Sequence, residues 1–395
     1  MIENIGEACT GCYACYNACP RKSIEMIQND KGFIYPKVNR DKCVECNICR
    51  NVCPQVNFLN VSNNYDKPKI YAGWSLDENI RLNSTSGGIF SELSKSILSK
   101  GGYVVGARYN DEHLVEHYMI DKYDDIILLR QSKYIQSEIG LIFKCVKEKL
   151  ERGSLVAFCG SPCQIAGLQN YLKKNYSNLI CFDFVCRGVN SPKAYTKYLE
   201  MLEKEYKSNI KKVWFKNKTY GWNNFSTKIE FTNGKTYIKD RNSDLFMRGY
   251  IEQNLYIREC CFNCKYKEFP RVADITLADF WGVGEKDKTL DSDKGTSLIM
   301  INSAKGKECL KNIQNSIFYK EMSLEDAING NGCIYKSVEK NPKSDKFLRM
   351  LNKYEFDVCF KKCSKENKIK KFKRDLFAKA YVIKQYIFKK NLVNK

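Results

Sequence analysis

A cysteine pattern that occurs twice dominates what the first 60 residues can form. Four cysteines and a proline follow the spacing C-x2-C-x2-C-x3-C-P, and a second copy begins 34 residues later. Such short spacers let one tight loop place three thiolates around a metal centre, whereas a fourth must come from a remote part of the chain. The segment between the runs, "SIEMIQNDKGFIYPKV", predicts two short strands around a turn. The repeat therefore predicts a duplicated half-domain over residues 1–60.

This spacing resembles that of bacterial two-cluster ferredoxins, in which each run gives three ligands to one 4Fe-4S cluster and its fourth to the other. The alternative is a zinc site or unligated thiols. Zinc sites usually pair two C-x-x-C units or add histidines, however, and this chain has only His113 and His117. The resemblance implies Cys9, Cys12, Cys15 and Cys53 as ligands of the first cluster, and Cys43, Cys46, Cys49 and Cys19 as ligands of the second.

The cysteine content also bears on the environment of the chain. It has 20 cysteines, but its first residues, "MIENIGEACTGC", lack the basic and apolar regions of a secretory signal. We therefore expect a cytoplasmic, reducing environment with metal-bound thiolates. No run of about 18 apolar residues occurs, so the sequence predicts no ordinary membrane span.

Strands and helices alternate beyond the polar segment 61–68, which we interpret as a linker. This alternation indicates βαβ units and a mostly parallel sheet covered on both faces. The predicted fold class is α/β: an α+β ferredoxin domain, an α/β domain over 69–355 and a basic helical tail over 356–395. Helices are predicted at 88–100, 136–151, 162–174, 192–206, 304–316 and 343–354. Strands are predicted at 102–109, 114–120, 154–159, 179–185, 211–216, 225–231, 235–239, 273–278 and 296–302.

Two further cysteines follow consecutive predicted strands. In "SLVAFCGSPCQIAGLQNYL" and "LICFDFVCRGVNSPKAYTKYL", a strand leads to a glycine and then Ser-Pro opens a helix. Cys163 and Cys186 therefore fall at the sheet edge where α/β folds bind ligands, and the helix N-terminus favours a thiolate at Cys163. With Cys261 and Cys264 they would complete a third 4Fe-4S site, and Cys260 is a substitute for Cys261. Alternatively, these are small buried side chains that bind nothing, and spacing alone does not decide.

The other cysteines outside the N-terminal repeat are interpreted from their surroundings. Cysteines in apolar stretches are predicted to lie in the core, and cysteines in a basic segment are predicted to be surface thiols. The first group is Cys145, Cys159, Cys181 and Cys309, and the second is Cys359 and Cys363.

Two segments have the composition of a phosphate or flavin site. "NSTSGGIFSELSKSIL" places two glycines before an amphipathic helix, where backbone N–H groups can receive an anion, and "RQSKYIQS" (130–137) gathers polar groups in a predicted loop. A plain helix cap and a solvated connection are the alternatives. No G-x-G-x-x-G or Walker A motif is present, so nothing marks NAD or ATP binding.

Five motifs taken in order resemble the beta subunit family of coenzyme F420 hydrogenase/dehydrogenase, fused here to a two-cluster ferredoxin. They are "STSGGIFSEL", "RQSKYIQS", "CGSPCQIAGL", "DFVCRGVNSPK" and "CFNCKYKEFPRVADITLADFWG". The resemblance implies an α/β domain that holds FAD and one 4Fe-4S cluster, with Cys163, Cys186, Cys261 and Cys264 as cluster ligands. The implied flavin-site residues are Ser86, Gly87, Gly88, Ser132, Lys133, Tyr134, Gln136, Ser137, Gly160, Pro162 and Gln164.

The chain departs from the family pattern at two positions. Arg187 stands where the family often has histidine after the cysteine, and Ala278 stands where it often has glycine before Asp279. Loss of that histidine removes a proton donor and leaves the substrate undefined. We select Lys133, Tyr134 and Asp279 as the candidates for proton supply.

The formal charge of +21 is concentrated at one end, since residues 361–395 hold 13 Lys or Arg against 2 Asp or Glu. Nucleic-acid binding predicts basic residues spread around a folded core, so we expect no nucleic-acid partner. Apolar residues at helical spacing within the tail suit an anionic membrane surface, an acidic ferredoxin or a partner enzyme. A lysine-rich helix that covers part of the body explains them equally well.

These observations together predict an iron-sulfur flavoprotein oxidoreductase. It would pass electrons from a low-potential donor such as ferredoxin through 4Fe-4S clusters to FAD, and on to coenzyme F420 or another organic acceptor. The alternative is an electron-transfer subunit that serves a partner enzyme and has no substrate of its own.

Overall fold

The computed structural model describes residues 2–58 and 64–364. Its strands are β1 (Ile24–Gln28), β2 (Ile34–Val38), β3 (Lys69–Ser75), β4 (Tyr103–Tyr109), β5 (Val115–Ile120), β6 (Val156–Cys159), β7 (Leu179–Phe184), β8 (Ile210–Asn217), β9 (Ser226–Phe231), β10 (Thr236–Asp240), β11 (Ile275–Asp279), β12 (Ser297–Ile301) and β13 (Ile317–Met322). Its α-helices are α1 (Ala14–Ala18), α2 (Ile48–Asn51), α3 (Glu78–Leu82), α4 (Ile89–Leu98), α5 (Ile126–Leu129), α6 (Ile142–Glu151), α7 (Pro162–Leu172), α8 (Pro192–Tyr206), α9 (Leu245–Ile251), α10 (Val283–Lys286), α11 (Ala304–Asn312), α12 (Leu324–Gly330), α13 (Ser344–Met350) and α14 (Phe356–Cys363). Short 3-10 segments lie at Ile2–Ala8, Glu259–Asn263, Lys288–Leu290 and Gly332–Ile334.

Residues 2–58 form a small head whose two halves repeat each other. β1 and β2 pair as an antiparallel hairpin, as the sequence predicts. Tyr13 precedes α1 and Asn47 precedes α2, and both adopt the left-handed conformation, with φ of 64° and 58°. Since these positions correspond in the 34-residue repeat, the duplicated half-domain is present in the backbone as well as in the sequence.

A sheet of eight strands forms the centre of the body, in the order β13-β3-β12-β11-β7-β6-β4-β5. The pairs β4–β6, β6–β7 and β7–β11 are parallel, and the outer pairs are antiparallel. Strands β3, β4, β6, β7 and β11 therefore share one direction, so the sheet is mostly parallel. This confirms the predicted α/β class and the predicted adjacency of the strands before Cys163 and Cys186.

Helices cover both faces of this sheet. Alternate residues of a strand point to opposite faces, and the neighbours Ala157 and Phe158 of β6 belong to different cores. Phe158 packs with α6 and α7, whereas Ala157 packs with α4 and α11. The head docks on the first of these faces, where its Tyr13 is buried in the same core as Phe158. The head thus covers the helix α7 that begins at the sheet edge.

A second sheet, in the order β10-β9-β8, extends the body. It packs against α8, α9, α13 and α14 through an aromatic core that includes Tyr195 and Phe246. Cys359 and Cys363 on α14 are fully buried in this core, so the prediction that they are surface thiols is wrong. The apolar face of α14 decides their burial, and the basic residues of the segment lie on its other face.

Two further details differ from prediction. The helix expected at 136–151 begins only at Ile142, because Glu138 instead pairs with Glu116 next to β5 and Gly140 adopts φ of 53°. Cys145, expected in the core, is exposed on α6. Hydrophobic neighbours in sequence do not bury a residue that lies on the outer face of a helix.

The interpreted linker and tail lie partly outside the described residues. Asn64, within the linker, donates hydrogen bonds to the carbonyls of Arg271 (2.5 Å) and Ala273 (3.2 Å). The predicted helical tail lies outside the described residues from 365 onward. Over residues 2–58 and 64–364, no helix has the length and the apolar composition needed to cross a membrane.

Candidate functional site

The first set of four N-terminal cysteines lines a pocket of the head. Cys9, Cys12, Cys15 and Cys53 line it together with apolar side chains that include Ile2 and Met26. The backbone N–H of Gly11 donates to Cys9 Sγ (3.4 Å). Three thiols thus come from one loop and the fourth from the other run, which is the arrangement that the ferredoxin resemblance implies.

Burial dominates the chemistry of these thiols. It raises the pKa of Cys12 to about 12 and holds the pKa of Cys15 well above its ordinary value, with the neighbouring thiols adding to the effect for Cys15. The thiols of the metal-free chain therefore keep their protons at neutral pH, and a metal centre must displace those protons when it binds.

The second set lies nearer the surface of the head. Cys19, Cys43 and Cys49 are partly buried against the head's apolar core, and Cys46 is exposed. Cys19 and Cys46 both act electrostatically on Cys49. Burial acts to raise the pKa of Cys19, but hydrogen bonds from the hydroxyl and backbone N–H of Ser23 outweigh it and the pKa is lowered. An exposed edge at Cys46 makes this the more accessible of the two N-terminal sets.

The third set gathers at the carboxyl edge of the central sheet. Cys163 lies in the first turn of α7, after β6, and Cys186 follows β7. Cys261 lies in the 3-10 segment Glu259–Asn263, and Cys264 directly follows that segment. Together with Cys260 they line a pocket that is partly open to solvent. The structure thus brings together four cysteines that are up to 101 positions apart in the sequence.

Local sequence explains how these cysteines are placed. Ser161 and Gln164 form a capping box at the start of α7, in which the Ser161 N–H donates to Gln164 Oε1 (2.8 Å). Gly188 has φ of 143°, and a Cβ there would come within 3.3 Å of Cys261 Cβ and 2.8 Å of Ile257. A side chain at position 188 would therefore push away the segment that carries Cys261.

Of the two adjacent cysteines, Cys261 is the one that acts electrostatically on the thiols of Cys163 and Cys186. The thiols with the largest effect on Cys163 are Cys186, Cys264 and Cys261, and Cys261 is also the first to act on Cys186. Burial raises the pKa of Cys186 to about 12 and that of Cys163 well above its ordinary value. The expectation that the helix N-terminus makes Cys163 a thiolate is therefore wrong for the metal-free chain, because desolvation outweighs the helix.

The first and third cysteine sets share a wall. Thr10, which follows Cys9, lines both cavities, and Gln55 of the head lines the third-set cavity. The phenol of Tyr266 donates to the carbonyl of Pro54 (3.3 Å) and is buried between the two sets. The cysteines of the head and those of the sheet edge are thus neighbours in the folded chain.

The chemistry of the ligand candidates suits an iron-sulfur centre. In the described parts of the chain, no three Cys, His, Asp or Glu side chains form a group that could hold a single metal ion. Zinc would draw its ligand sulfurs to about 2.3 Å from one point. The four thiols of the first set line one pocket and those of the third set line another, and thiolates are the ligands that hold a 4Fe-4S cluster.

Several residues that the family resemblance assigns to a flavin site have their polar groups engaged within the protein. Ser86 donates to the carbonyl of Thr296 (2.8 Å), and the N–H of Gly87 donates to Ser297 Oγ (2.9 Å). Gln136 accepts from the Ile34 N–H (3.1 Å) at the contact with the head. Ser137 is bonded to His117 Nδ1 (2.9 Å) and accepts from Gln164 Nε2 (2.9 Å), and Gly160 donates to the carbonyl of Phe182 (3.1 Å).

The remaining flavin-site candidates lie at helix starts or in the 130–137 loop. Gly88 and Pro162 stand at the N-termini of α4 and α7. Ser132 bonds Thr85 (3.0 Å). Lys133 is partly buried, its Nζ donates to the carbonyl of Arg130 (2.8 Å), and desolvation lowers its pKa to about 7.

Tyr134 and Asp279 meet at a lysine that the sequence did not single out. Lys216 forms a buried ion pair with Asp279 and a hydrogen bond with Tyr134. Burial acts to lower the pKa of Lys216, but Asp279 and Tyr134 outweigh it and the pKa is raised. Trp222 Nε1 also donates to Asp279 Oδ1 (2.7 Å). No local motif marks Lys216, which comes from the second sheet.

Comparison with known proteins agrees with this arrangement. Residues 4–61 match the family model described as a 4Fe-4S dicluster domain. Residues 153–327 match the family model that describes the C terminus of the coenzyme F420 hydrogenase/dehydrogenase beta subunit. Among solved structures, the F420-reducing NiFe hydrogenase complex from Methanosarcina barkeri gives 18% identity and a TM-score of 0.44, over 77% of this chain and 94% of that chain. No curated protein matches.

The fold and the cysteine sets define an iron-sulfur protein with a dicluster head on an α/β body. Behind that head, the chain carries a domain of the coenzyme F420 hydrogenase/dehydrogenase beta-subunit family. The resemblance stated from the sequence is thereby confirmed. The beta-subunit model matches 175 of the 395 residues, so the family is shown for that domain, and the dicluster model matches the head.

Proposed function

We propose that this chain is a flavin-dependent oxidoreductase. It would take single electrons from a low-potential donor such as ferredoxin and pass two electrons to an organic acceptor, either coenzyme F420 or another compound. The observation that carries this proposal is the wall that the first and third cysteine sets share at Thr10. That wall joins a dicluster head to the ligand-binding edge of an α/β sheet.

The metal-binding roles follow from the three cysteine sets described above. Bound 4Fe-4S clusters would accept and release single electrons, and FAD would exchange one-electron for two-electron transfer. The proposed cluster ligands are Cys9, Cys12, Cys15 and Cys53; Cys19, Cys43, Cys46 and Cys49; and Cys163, Cys186, Cys261 and Cys264.

The proposed flavin site lies at the same sheet edge. The N–H groups at the start of α4, after Gly88, suit a phosphate, and the buried hydroxyl of Ser84 has no hydrogen-bond partner among the described residues. Lys133, with a pKa of about 7, holds or gives up a proton near neutrality. We assign proton supply to Lys133 Nζ, while Tyr134 and Asp279 hold the Lys216 ammonium in place.

Composition measured after anaerobic purification tests this proposal. Three 4Fe-4S clusters and one flavin correspond to about 12 iron atoms and one FAD per chain. About 8 iron atoms with no flavin would contradict both the third cluster and the flavin.

Turnover then separates an enzyme from an electron-transfer subunit. Purified protein with reduced ferredoxin or dithionite should reduce coenzyme F420 or a flavin-type acceptor far beyond one equivalent per chain. Reduction that stops at one equivalent would favour a chain that only serves a partner enzyme.

The basic C-terminal segment is proposed as the site of donor or membrane contact. Truncation after Ser364 removes it while keeping α14, whose Cys359 and Cys363 are buried in the core. Reduced binding to an acidic ferredoxin would support donor docking, and reduced binding to anionic vesicles would support peripheral membrane contact. Unchanged binding to both would contradict both proposed contacts.

A further inference from the structure

Arg258 connects the segment that carries Cys261 and Cys264 to the head. It stands three positions before Cys261 and is 0% exposed. Its backbone holds the segment in place, since its N–H donates to the carbonyl of Val189 (2.8 Å) and its carbonyl accepts from the Cys261 N–H (3.0 Å). Its side chain points the other way, into the head.

The guanidinium makes three hydrogen bonds at this contact. Nε donates to the carbonyl of Cys9 (2.7 Å), Nη2 to the carbonyl of Ile34 (3.0 Å), and Nη1 to Gln136 Oε1 (3.0 Å). The ring of Tyr35 lies 4.1 Å from the guanidinium carbon. Arg258 thereby bonds a residue of the first cysteine set directly while its own segment carries the third.

None of these acceptors is a carboxylate, although the charge is fully buried. A buried cation without a counter-ion is strongly destabilising. The titratable groups that act on Arg258 are Cys9, Tyr35, Cys260 and Cys261. The anions available to balance this charge are therefore the thiolate-bound centres on its two sides, each carrying about two net negative charges when oxidised.

We propose that Arg258 is the shared counter-ion of the first and third iron-sulfur sites and raises the reduction potential of both. The inference rests on the proposed function, because it requires that both sites hold a cluster. Reduction adds a negative charge, and a nearby cation stabilises the reduced form more than the oxidised form. No cysteine of the second set is among the groups that act on Arg258, so the potential of the second site should not depend on this charge.

Redox titration of the iron-loaded protein, followed by EPR, tests this role. Arg258→Gln removes the charge and Arg258→Lys keeps it. Arg248→Gln is the matched control, because Arg248 is also buried but contacts Phe360 of α14 and Glu252, the residue that follows α9. Each EPR signal is assigned by its loss in Cys15→Ser, Cys49→Ser or Cys264→Ser.

In Arg258→Gln, the equilibrium constants for reduction of the first and third sites should fall about tenfold, which is about 59 mV for one electron. The second site should keep its potential, as should all three sites in Arg248→Gln. Arg258→Lys should stay near the wild type. Unchanged potentials in Arg258→Gln, or an equal shift at all three sites, would overturn the proposal.

If Arg258→Gln does not load iron, Arg258→Lys distinguishes the role of the charge from the role of the three hydrogen bonds. A purely structural role of the three hydrogen bonds predicts that Arg258→Lys behaves as badly as the glutamine variant, and that result would overturn the counter-ion role. Iron content of the wild type is measured first. A value well below about 12 iron atoms per chain contradicts the proposed function, whereas full iron with unmoved potentials contradicts only the role of Arg258.

Discussion

The side chain of Cys12 lies directly against the backbone of Gly167. A Cβ atom added at Gly167 would be 2.9 Å from Cys12 Sγ and 2.9 Å from Cys12 Cβ, which is closer than real Cβ contacts allow. Gly167 lies on α7, the helix whose first turn carries Cys163. The same helix therefore supports one ligand candidate of the third site and receives one of the first.

Gly167→Ala should loosen the docking of the head. Because the new methyl overlaps with Cys12, we expect a loss of about 1–3 kcal/mol in stability and a first cluster that is lost more readily to chelators. Thermal unfolding and the rate of iron release to a chelator measure the two effects. Gly332→Ala is the control, since a Cβ there meets nothing within 4 Å. Equal behaviour of the two variants would show that Gly167 does not set the contact.

The adjacent cysteines Cys260 and Cys261 should respond differently to substitution. Cys261 is grouped with Cys163, Cys186 and Cys264, so Cys261→Ser should lower the iron content from about 12 to about 8 atoms per chain. Cys260→Ser should leave it at about 12. Iron and sulfide analysis after anaerobic purification measures both.

An exposed cysteine provides the baseline for this pair. Cys145 is on the outer face of α6, and Cys145→Ser should match the wild type in iron and sulfide. If Cys260→Ser lost iron and Cys261→Ser did not, the assignment of the ligand would be reversed.

Features set by local chemistry were predictable from the sequence. The cysteine spacing indicated both N-terminal sets because short spacers restrict which thiols can meet. Ser-Pro after a strand predicted the starts of α7 and α8, and both helices begin at that proline. Strands β6 and β7 lie side by side in parallel, so Cys163 and Cys186 share one edge as expected.

Features that depend on contacts distant in sequence were not predictable. Arg258 acquires its role only when the head lies on α7, and the ion pair between Lys216 and Asp279 joins residues of two different sheets. The burial of Cys145 and Cys359 differs from prediction for a related reason. Their burial depends on which face of a helix meets the rest of the protein, and that is settled by tertiary packing.

Asp279→Asn should destabilise the body strongly. Lys216 would keep its charge in a buried position without a carboxylate partner, a change that typically costs about 3–5 kcal/mol. The double variant Asp279→Asn with Lys216→Met should recover much of this loss, since it also removes the unpaired charge. The urea midpoint of the iron-loaded protein under argon measures the effect.

A surface ion pair serves as the comparison. Asp287 pairs with Lys320 (2.8 Å), and the Lys320 side chain is exposed. Asp287→Asn should shift the urea midpoint little, because exposed pairs contribute little to stability. A loss in Asp279→Asn no larger than in Asp287→Asn would contradict the importance of the buried pair.

Lys133 should make stability rise with pH above neutrality. Burial lowers its pKa from 10.5 to about 7, so between these values the unfolded chain binds a proton that the folded chain does not. Stability then rises with pH, by at most about 1.4 kcal/mol per pH unit for one group. Lys218, whose pKa burial also lowers to about 7, adds to the slope of the wild type. Lys133→Met should therefore flatten the dependence of stability on pH between pH 7 and 9 without abolishing it.

A surface lysine serves as the control. Lys147→Met, which removes a surface lysine of α6, should keep the wild-type slope. Urea midpoints at several pH values compare the three proteins, and equal slopes in Lys133→Met and wild type would show that Lys133 is not desolvated in the folded chain.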